Sequence, residues 1–205
     1  MTIEDDVLSK LKARPYAGVR RLVRDGDLLF CSADDAFSKT IRWATRSPWS
    51  HIAIAYRIES LNRVMVLESV EKLGVRTVPL STFITKTSDG TQPYPGKILL
   101  ARHAKVAGLS AARARKMYDF AFSKLGDRFA PGEIVKIATR IVMDRSGHSL
   151  PKNLGPKDEY ICSEYVARCF DEAKVAIPWD GLGFIAPADF ARDPDMTAVA
   201  QIKTR

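Results

Sequence analysis

The segment SHIAIAYRIESLNRVMVLESV (residues 50–70) contains two apolar runs separated by a short polar stretch. The runs are rich in Ile and Val, which favour strands, and the polar stretch between them favours a turn. Because successive side chains of a strand point to opposite faces, His51 shares a face with two alanines and Glu68 shares a face with three valines. The segment therefore predicts an antiparallel hairpin that carries one imidazole and one carboxylate.

Glu68 is the unexpected member of this hairpin, because a carboxylate among valines is costly to bury unless it is paired. A register that sets His51 directly or diagonally opposite Glu68 places both side chains on the same side of the sheet. A slip of one residue would place them on opposite sides. If the two residues do not pair, Glu68 lies on an exposed face of the sheet, and His51 either forms a hydrogen bond in the core or faces solvent. The register of the hairpin therefore decides whether these two residues meet.

The segments around the hairpin predict an α+β fold built on an antiparallel sheet of about five strands. We expect the strands within residues 24–33, 50–58, 63–70, 74–83 and 96–103. The tail AVAQIK (198–203) is a candidate for one further edge strand. The spacing of apolar residues predicts helices over residues 34–46, 108–126 and 131–144. A polar loop, 146–158, leads to one more helix that begins at Cys162.

The segment EYICSEYVARCF (residues 159–170) places a cysteine at the N-terminus of an amphipathic helix. The apolar stripe of this helix consists of Cys162, Tyr165, Val166, Cys169, Phe170 and Ala173. A cysteine in such a stripe is often a small core residue. A helix N-terminus, however, lowers the pKa of a thiol, because its N–H groups and its dipole favour the thiolate. We expect the stripe to pack on the sheet face that carries His51, where two alanines let a helix approach closely.

The composition is that of one globular domain, residues 1–205, with 46% hydrophobic and 27% charged residues. The net charge of +8 is concentrated in residues 97–157, which contain thirteen Lys and Arg against four acidic residues. This stretch is a candidate contact for an anionic surface, and residues 126–157 are a candidate basic helical insertion. Nucleic acid is not an expected partner, because no recognition motif accompanies the charge. The sequence does not fix the oligomeric state.

The N-terminal residues contain no signal-peptide pattern, and no apolar run is long enough to span a bilayer. We therefore expect a cytoplasmic protein, with non-classical export as the alternative. Three cysteines do not make a disulfide framework, and Cys162 and Cys169 would stand about 10 Å apart along a helix, too far for a disulfide. Because the chain has three histidines and no Cys-x-x-Cys pair, we expect no metal and no cofactor.

Six short motifs together resemble one known family. They are GDLLF (26–30), SHIAI (50–54), VLES (66–69), GVRTVPLSTF (74–83), YICSEYV (160–166) and PADF (187–190). In content and order they resemble the circularly permuted NlpC-type branch of the papain-like cysteine peptidase and amidase superfamily. These are the YiiX-like proteins, which are related to the lecithin retinol acyltransferase group. In that branch the strand that carries the histidine precedes the helix that carries the nucleophile, as it does here.

The resemblance implies a papain-like fold in which an antiparallel sheet packs against the nucleophile helix. It implies Cys162 as the nucleophile, His51 as the general base and Glu68 as the polar third member of a triad. It also implies that the N–H of Cys162 contributes to an oxyanion hole. Tyr160 and Ser163, close to the nucleophile in the sequence, are candidate oxyanion or pocket residues.

The function implied by the resemblance is thiol-dependent hydrolysis of an amide through a thioester acyl-enzyme. The amide would be a peptidoglycan-type peptide or another small amide. A lipid acyl hydrolase or acyltransferase would use the same triad, and the basic helix predicted over 131–144 favours an acyl lipid at an anionic interface. A non-catalytic binding module on the same fold is the third alternative. The reactivity of Cys162 separates the enzymes from the binding module, since only an enzyme needs the thiolate.

Overall fold

The computed structural model describes residues 3, 5–87, 90–92, 94–128, 161–178 and 185–204 of the chain. Within these residues one antiparallel sheet is formed by six strands, β1 (Leu28–Ala33), β2 (His51–Ile58), β3 (Arg63–Val70), β4 (Gly74–Pro79), β5 (Gly96–His103) and β6 (Met196–Ile202). Their order across the sheet is β4-β3-β2-β1-β5-β6. The five predicted strands are therefore present, and the C-terminal tail adds β6 at one edge.

Helices cover both faces of the sheet, which confirms the α+β class. In the described part of the chain they are α1 (Asp5–Lys10), α2 (Tyr16–Arg20), α3 (Ala36–Thr45), α4 (Leu80–Thr85), α5 (Ala104–Ala107), α6 (Ala111–Ser123), α7 (Cys162–Glu172) and α8 (Pro187–Arg192). A single 3-10 turn, Glu59–Leu61, joins β2 to β3. None of these described helices combines the length and the hydropathy that crossing a membrane requires.

Side-chain caps set the starts of two helices that the sequence predicts. The carboxylate of Asp35 accepts a hydrogen bond from the backbone N–H of Ser38 at 2.9 Å, and α3 begins at the next residue, Ala36. The helix predicted over 108–126 is observed as α6. It begins at Ala111 because the hydroxyl of Ser110 accepts a hydrogen bond from the backbone N–H of Arg113 and so caps the N-terminus. Both helices therefore lie where their apolar spacing predicts, with ends set by local hydrogen bonds.

β4 ends four residues earlier than the sequence predicts. The strand expected over 74–83 stops at Pro79, which has no N–H with which to continue a ladder. α4 follows at once, and its buried residues Leu80, Phe83 and Ile84 repeat with helical spacing. The helix predicted over 131–144 lies outside the described residues, and so does the candidate insertion 126–157 beyond residue 128.

The two faces of the sheet are covered by different helices. The apolar stripe of α7 packs in the core that contains Ile52 and Ile54 of β2. The opposite face of β2, with Ala53 and Ala55, belongs to a second core that contains the buried side chains of α4. The prediction that α7 packs on the alanine face is therefore wrong. The aromatic side chains of α7 instead meet the larger isoleucines, and α4 fills the space beside the alanines.

Gly74, the first residue of β4, lies where only glycine fits. Its φ is +72°, and a Cβ added there would overlap the carbonyl oxygen of Asp127. That oxygen accepts a hydrogen bond from the N–H of Val75 at 2.8 Å, which fixes the start of β4 against residues 126–127. The contact therefore needs both a left-handed backbone and the absence of a side chain.

We expect Gly74→Ala to lower the free energy of unfolding by about 2 to 3 kcal/mol, because left-handed strain and the backbone overlap add. Gly90→Ala is the matched control, since Gly90 has a φ of +76° but no described atom within 4 Å of its Cβ position. The control should lose only about 1 kcal/mol, from backbone strain alone. Urea unfolding measures both values, and equal losses would contradict the close approach to Asp127.

Candidate active site

The hairpin register brings His51 and Glu68 together. β2 and β3 pair with Ile54 opposite Leu67. In this register His51 and Glu68 are diagonal neighbours on one face of the sheet. Nε2 of His51 lies 2.8 Å from Oε2 of Glu68, whose side chain is only 2% exposed. The predicted same-side register is therefore confirmed.

The imidazole of His51 lies between the carboxylate and the thiol. An ionised carboxylate only accepts hydrogen bonds, so Nε2 of His51 carries the hydrogen that it shares with Glu68. His51 is also hydrogen-bonded to Cys162. Because Nε2 is engaged by Glu68, we assign this second bond to Nδ1, the other ring nitrogen. The three predicted residues thus form one connected series in the order Cys162, His51, Glu68.

The sulfur of Cys162 lies at the N-terminus of α7 and close to the start of β2. Cys162 is the first residue of the helix, and the N–H of Ser163 donates to its sulfur. The paired register of β2 and β3 begins only at Ile54, so the N–H of Ile52 lies outside it and also donates to the sulfur. These backbone donors and the helix dipole favour a thiolate at this position.

The shifted pKa values of the triad favour an ion pair. Burial raises the pKa of the Cys162 thiol, but the charge and hydrogen bond of His51 and the two N–H donors outweigh burial and hold it below its ordinary value. Burial lowers the pKa of His51, but the charge of the Cys162 thiolate and hydrogen bonds to Cys162 and Glu68 raise it to about 10. Since the thiol has the lower pKa, the proton resides on the imidazole and the pair is a thiolate–imidazolium pair.

A fourth charged residue, Arg76, which the sequence reasoning missed, binds the same carboxylate. Arg76 lies directly opposite Glu68 in the pairing of β3 with β4. Its Nε and Nη2 lie 2.9 and 2.7 Å from Oε1 of Glu68, the oxygen that His51 does not contact. Burial raises the pKa of Glu68, but the hydrogen bond and charge of His51, together with Arg76, bring it below its ordinary value. The signal that identifies this residue is the register of the next hairpin, β3 with β4.

The two candidate oxyanion or pocket residues have different outcomes. The side chain of Ser163 is buried, and its hydroxyl donates to the carbonyl oxygen of Ile185 at 2.7 Å. That bond fixes α7 to the segment before α8, so the hydroxyl is already engaged in the fold while the N–H of Ser163 contacts the sulfur of Cys162. Tyr160 lies outside the described residues, and its candidate role stays a prediction.

The other two cysteines differ from Cys162 in their surroundings. Cys31 lies opposite His51 in the pairing of β1 with β2, and Cys169 lies in the stripe of α7. Both are fully buried, and burial raises the pKa of each thiol far above its ordinary value. All three cysteines are free. Cys162 is therefore the cysteine whose surroundings favour the thiolate.

One group of described residues has the donor atoms of a metal site: His103, Asp193 and Asp195, whose ligand atoms lie within 4.8 Å of one another. His103 is the last residue of β5, at the end of the sheet away from the triad. Lys105 Nζ lies 2.6 Å from Asp195, and Nε2 of His103 lies 3.4 Å from Asp193. A lysine that already neutralises one carboxylate fits an ion-pair cluster better than a cation site. The expected absence of a metal stays a prediction.

Comparison with solved structures shows the fold. The crystal structure of the metalloprotein yiiX from Escherichia coli O157:H7 is similar to this chain, with a TM-score of 0.60 and 20% sequence identity. The similarity covers 86% of this chain and 96% of that chain. No curated protein matches the sequence. The arrangement of sheet and helices is therefore that of a YiiX-like fold.

A family comparison adds the evolutionary assignment. The model of the "Permuted papain-like amidase enzyme, YaeF/YiiX, C92 family" matches residues 22–129, slightly more than half of the chain. The matched range contains β1 to β5 and includes His51, Glu68 and Arg76, and it ends before Cys162. The order of the histidine strand before the cysteine helix is the permuted one that the sequence motifs predict. The chain therefore belongs to the YaeF/YiiX family, C92, of permuted papain-like amidases.

Proposed function

We propose that the protein is a thiol-dependent amide hydrolase with Cys162 as nucleophile, His51 as general acid and base, and Glu68 as the residue that orients His51. The observation that carries the proposal is the pair of hydrogen bonds that joins His51 to Cys162 on one side and to Glu68 on the other. A nucleophile, a base and an orienting group in contact are what acyl transfer through a covalent intermediate requires. Membership of an amidase family supports the same reaction class.

In the acylation step the thiolate of Cys162 attacks the carbonyl carbon of the amide. The N–H of Cys162, at the N-terminus of α7, stabilises the negative charge that develops on the carbonyl oxygen. The imidazolium of His51 then protonates the amide nitrogen, the C–N bond breaks, and the amine leaves behind a thioester on Cys162. The imidazolium persists through neutral pH because the pKa of His51 is raised to about 10.

In the deacylation step the neutral His51 takes a proton from water while the water oxygen attacks the thioester carbon. The C–S bond breaks, the carboxylic acid leaves, and Cys162 returns as a thiolate beside the imidazolium of His51. Glu68 remains ionised throughout, since His51 and Arg76 together offset the effect of its burial on its pKa. Its negative charge holds the ring in the tautomer that this cycle needs.

The substrate, and whether an acyl-enzyme forms at all, separate this proposal from its alternatives. An amide, either a peptidoglycan-type peptide or another small amide, is the class that family membership favours. A lipid ester would form the same acyl-enzyme, which water or a second nucleophile would then resolve. A binding module would form no acyl-enzyme at all.

The test is to incubate the protein with stem-peptide amides and, separately, with phospholipid vesicles. Product release and the mass of the peptide that contains Cys162 are followed together. We expect cleaved amide and an acyl adduct on Cys162, and we expect both to vanish after the thiol has been blocked with iodoacetamide. Cleavage of the phospholipid alone would replace the proposal with the lipid alternative. An absence of product and adduct with either substrate would favour the binding module.

A further inference from the structure

The carboxylate of Glu68 is shared by two partners, one on each oxygen. Oε2 lies 2.8 Å from Nε2 of His51. Oε1 lies 2.9 Å from Nε and 2.7 Å from Nη2 of Arg76. The side chain of Glu68 is 2% exposed, and that of Arg76 is 24% exposed. A buried carboxylate thus connects a half-buried guanidinium to the imidazole that contacts the thiol.

We propose that Arg76 is a positioning residue of the amidase site: its guanidinium holds Oε1 of Glu68, which keeps the carboxylate ionised and directs Oε2 at His51. The inference rests on the proposed function, because Arg76 acts on the thiol through Glu68 and His51. It adds a fourth member to the triad that sequence motifs and family resemblance imply.

The chemistry of the carboxylate makes such a partner necessary. Rotation about the last bond of a glutamate side chain exchanges its two oxygens, so a fork that holds one oxygen also fixes the direction of the other. The planar guanidinium supplies two donors that converge on Oε1, whereas a lysine in its place would supply only a point charge. A buried carboxylate without compensation would take up a proton, and a neutral Glu68 would no longer stabilise the imidazolium of His51.

The position of Arg76 is fixed by hydrogen bonds on both sides of β4. In the pairing of β3 with β4, Arg76 lies directly opposite Glu68. On the outer side of β4, the N–H of Val75 donates to the carbonyl oxygen of Asp127 at 2.8 Å. The N–H of Gly126 in turn donates to the carbonyl oxygen of Val75 at 2.9 Å. The residue next to Arg76 is thus held by hydrogen bonds, and a residue on a fixed strand can hold a catalytic group in place.

The chain contains a matched control pair away from the triad. Nε and Nη2 of Arg102 each lie 2.7 Å from a carboxylate oxygen of Asp27. The side chain of Asp27 is 1% exposed and that of Arg102 is 19% exposed, close to the values of the Glu68 and Arg76 pair. Arg102→Gln therefore removes a buried guanidinium–carboxylate pair of the same kind without touching the triad.

The test uses the rate of Cys162 alkylation by iodoacetamide as a function of pH, which needs no substrate. In Arg76→Gln the acidic limb of this profile should move to higher pH. The pKa of Glu68 rises, a protonated Glu68 no longer stabilises the imidazolium of His51, and the pKa of the Cys162 thiol therefore rises as well. A shift of one pKa unit lowers the rate at about pH 6 by about tenfold. Arg76→Lys should shift the limb only in part, since it keeps the charge and loses the fork. Arg102→Gln should leave the limb in the wild-type position, even where its thermal melt shows a similar loss of stability.

A double-mutant cycle with Glu68→Gln shows whether Arg76 acts through the carboxylate. In the Glu68→Gln background, Arg76→Gln should add no further shift to the alkylation profile. Independent, additive shifts would overturn the inference, and so would a folded Arg76→Lys protein with the wild-type profile. That variant keeps the test decisive if Arg76→Gln does not fold. A wild-type protein whose Cys162 reacts like an ordinary thiol would instead contradict the proposed function itself, so the two failures are distinguishable.

Discussion

Replacing Cys162 by alanine is expected to remove amide turnover, with a loss in kcat on the order of 10⁵ to 10⁶. The loss is this large because the thioester cannot form, and no other described cysteine has surroundings that favour a thiolate. The fold should survive, since the change removes one sulfur atom at the N-terminus of α7. The measurement is the initial rate on the amide identified in the substrate screen, together with a thermal melt of each protein.

Cys169→Ala is the matched control for this prediction. Cys169 lies on the same helix and is also buried, but burial raises the pKa of its thiol far above the ordinary value. The control should keep its turnover while losing about 1 kcal/mol of the free energy of unfolding, because a small cavity replaces the sulfur. Turnover that survives in Cys162→Ala, or that disappears equally in both variants, would remove Cys162 from the role of nucleophile.

Replacing His51 by alanine is the second large effect, with an expected loss in kcat/KM on the order of 10⁴ to 10⁶. Two functions disappear together. The pKa of the Cys162 thiol rises, since burial then acts without the charge of the imidazolium. The leaving amine also loses its proton donor. Initial rates across a range of pH measure the loss, and raising the pH should restore only the part that depends on the thiolate.

A second histidine in contact with a carboxylate, which is more deeply buried than His51, supplies the control. His103 is 1% exposed, and its Nε2 lies 3.4 Å from Asp193 at the other end of the sheet. His103→Gln should melt at a lower temperature and keep the wild-type kcat/KM. If His103→Gln lost as much activity as His51→Ala, the effect of His51 would have to be assigned to the fold rather than to the chemistry.

The hairpin and the nucleophile helix were predictable because each depends on a local pattern. Alternation along residues 50–70 places His51 and Glu68 on definite faces, and few registers are compatible with burying the valines. The apolar stripe that begins at Cys162 likewise defines one helical face. Proximity of His51 and Glu68 then follows from the pairing of β2 with β3. The contact of His51 with Cys162 does not follow in this way, because α7 packs on the other face of β2. The catalytic roles came from the family resemblance.

The remaining features depend on contacts between distant segments. Alternation divides β2 into two faces but does not say which helix covers each face, and for this reason α7 was expected on the wrong one. The face of Ala53 and Ala55 is filled by α4, a helix that β-branched and aromatic residues after Pro79 made look like a strand. Arg76 was not predicted, because its position opposite Glu68 depends on the register of a second hairpin, β3 with β4. The fold around the site therefore required the structure.

The central claim is that His51 holds Cys162 as a thiolate, and the pH dependence of iodoacetamide alkylation tests it most directly. Peptide mapping assigns the modified residue, and Cys31 and Cys169 serve as internal references. In the wild-type protein we expect Cys162 to react rapidly near about pH 6, well below the pH at which an ordinary thiol ionises, and we expect this reactivity to disappear in His51→Ala. A Cys162 that reacts slowly, with the pH dependence of an ordinary thiol in both proteins, would contradict the account.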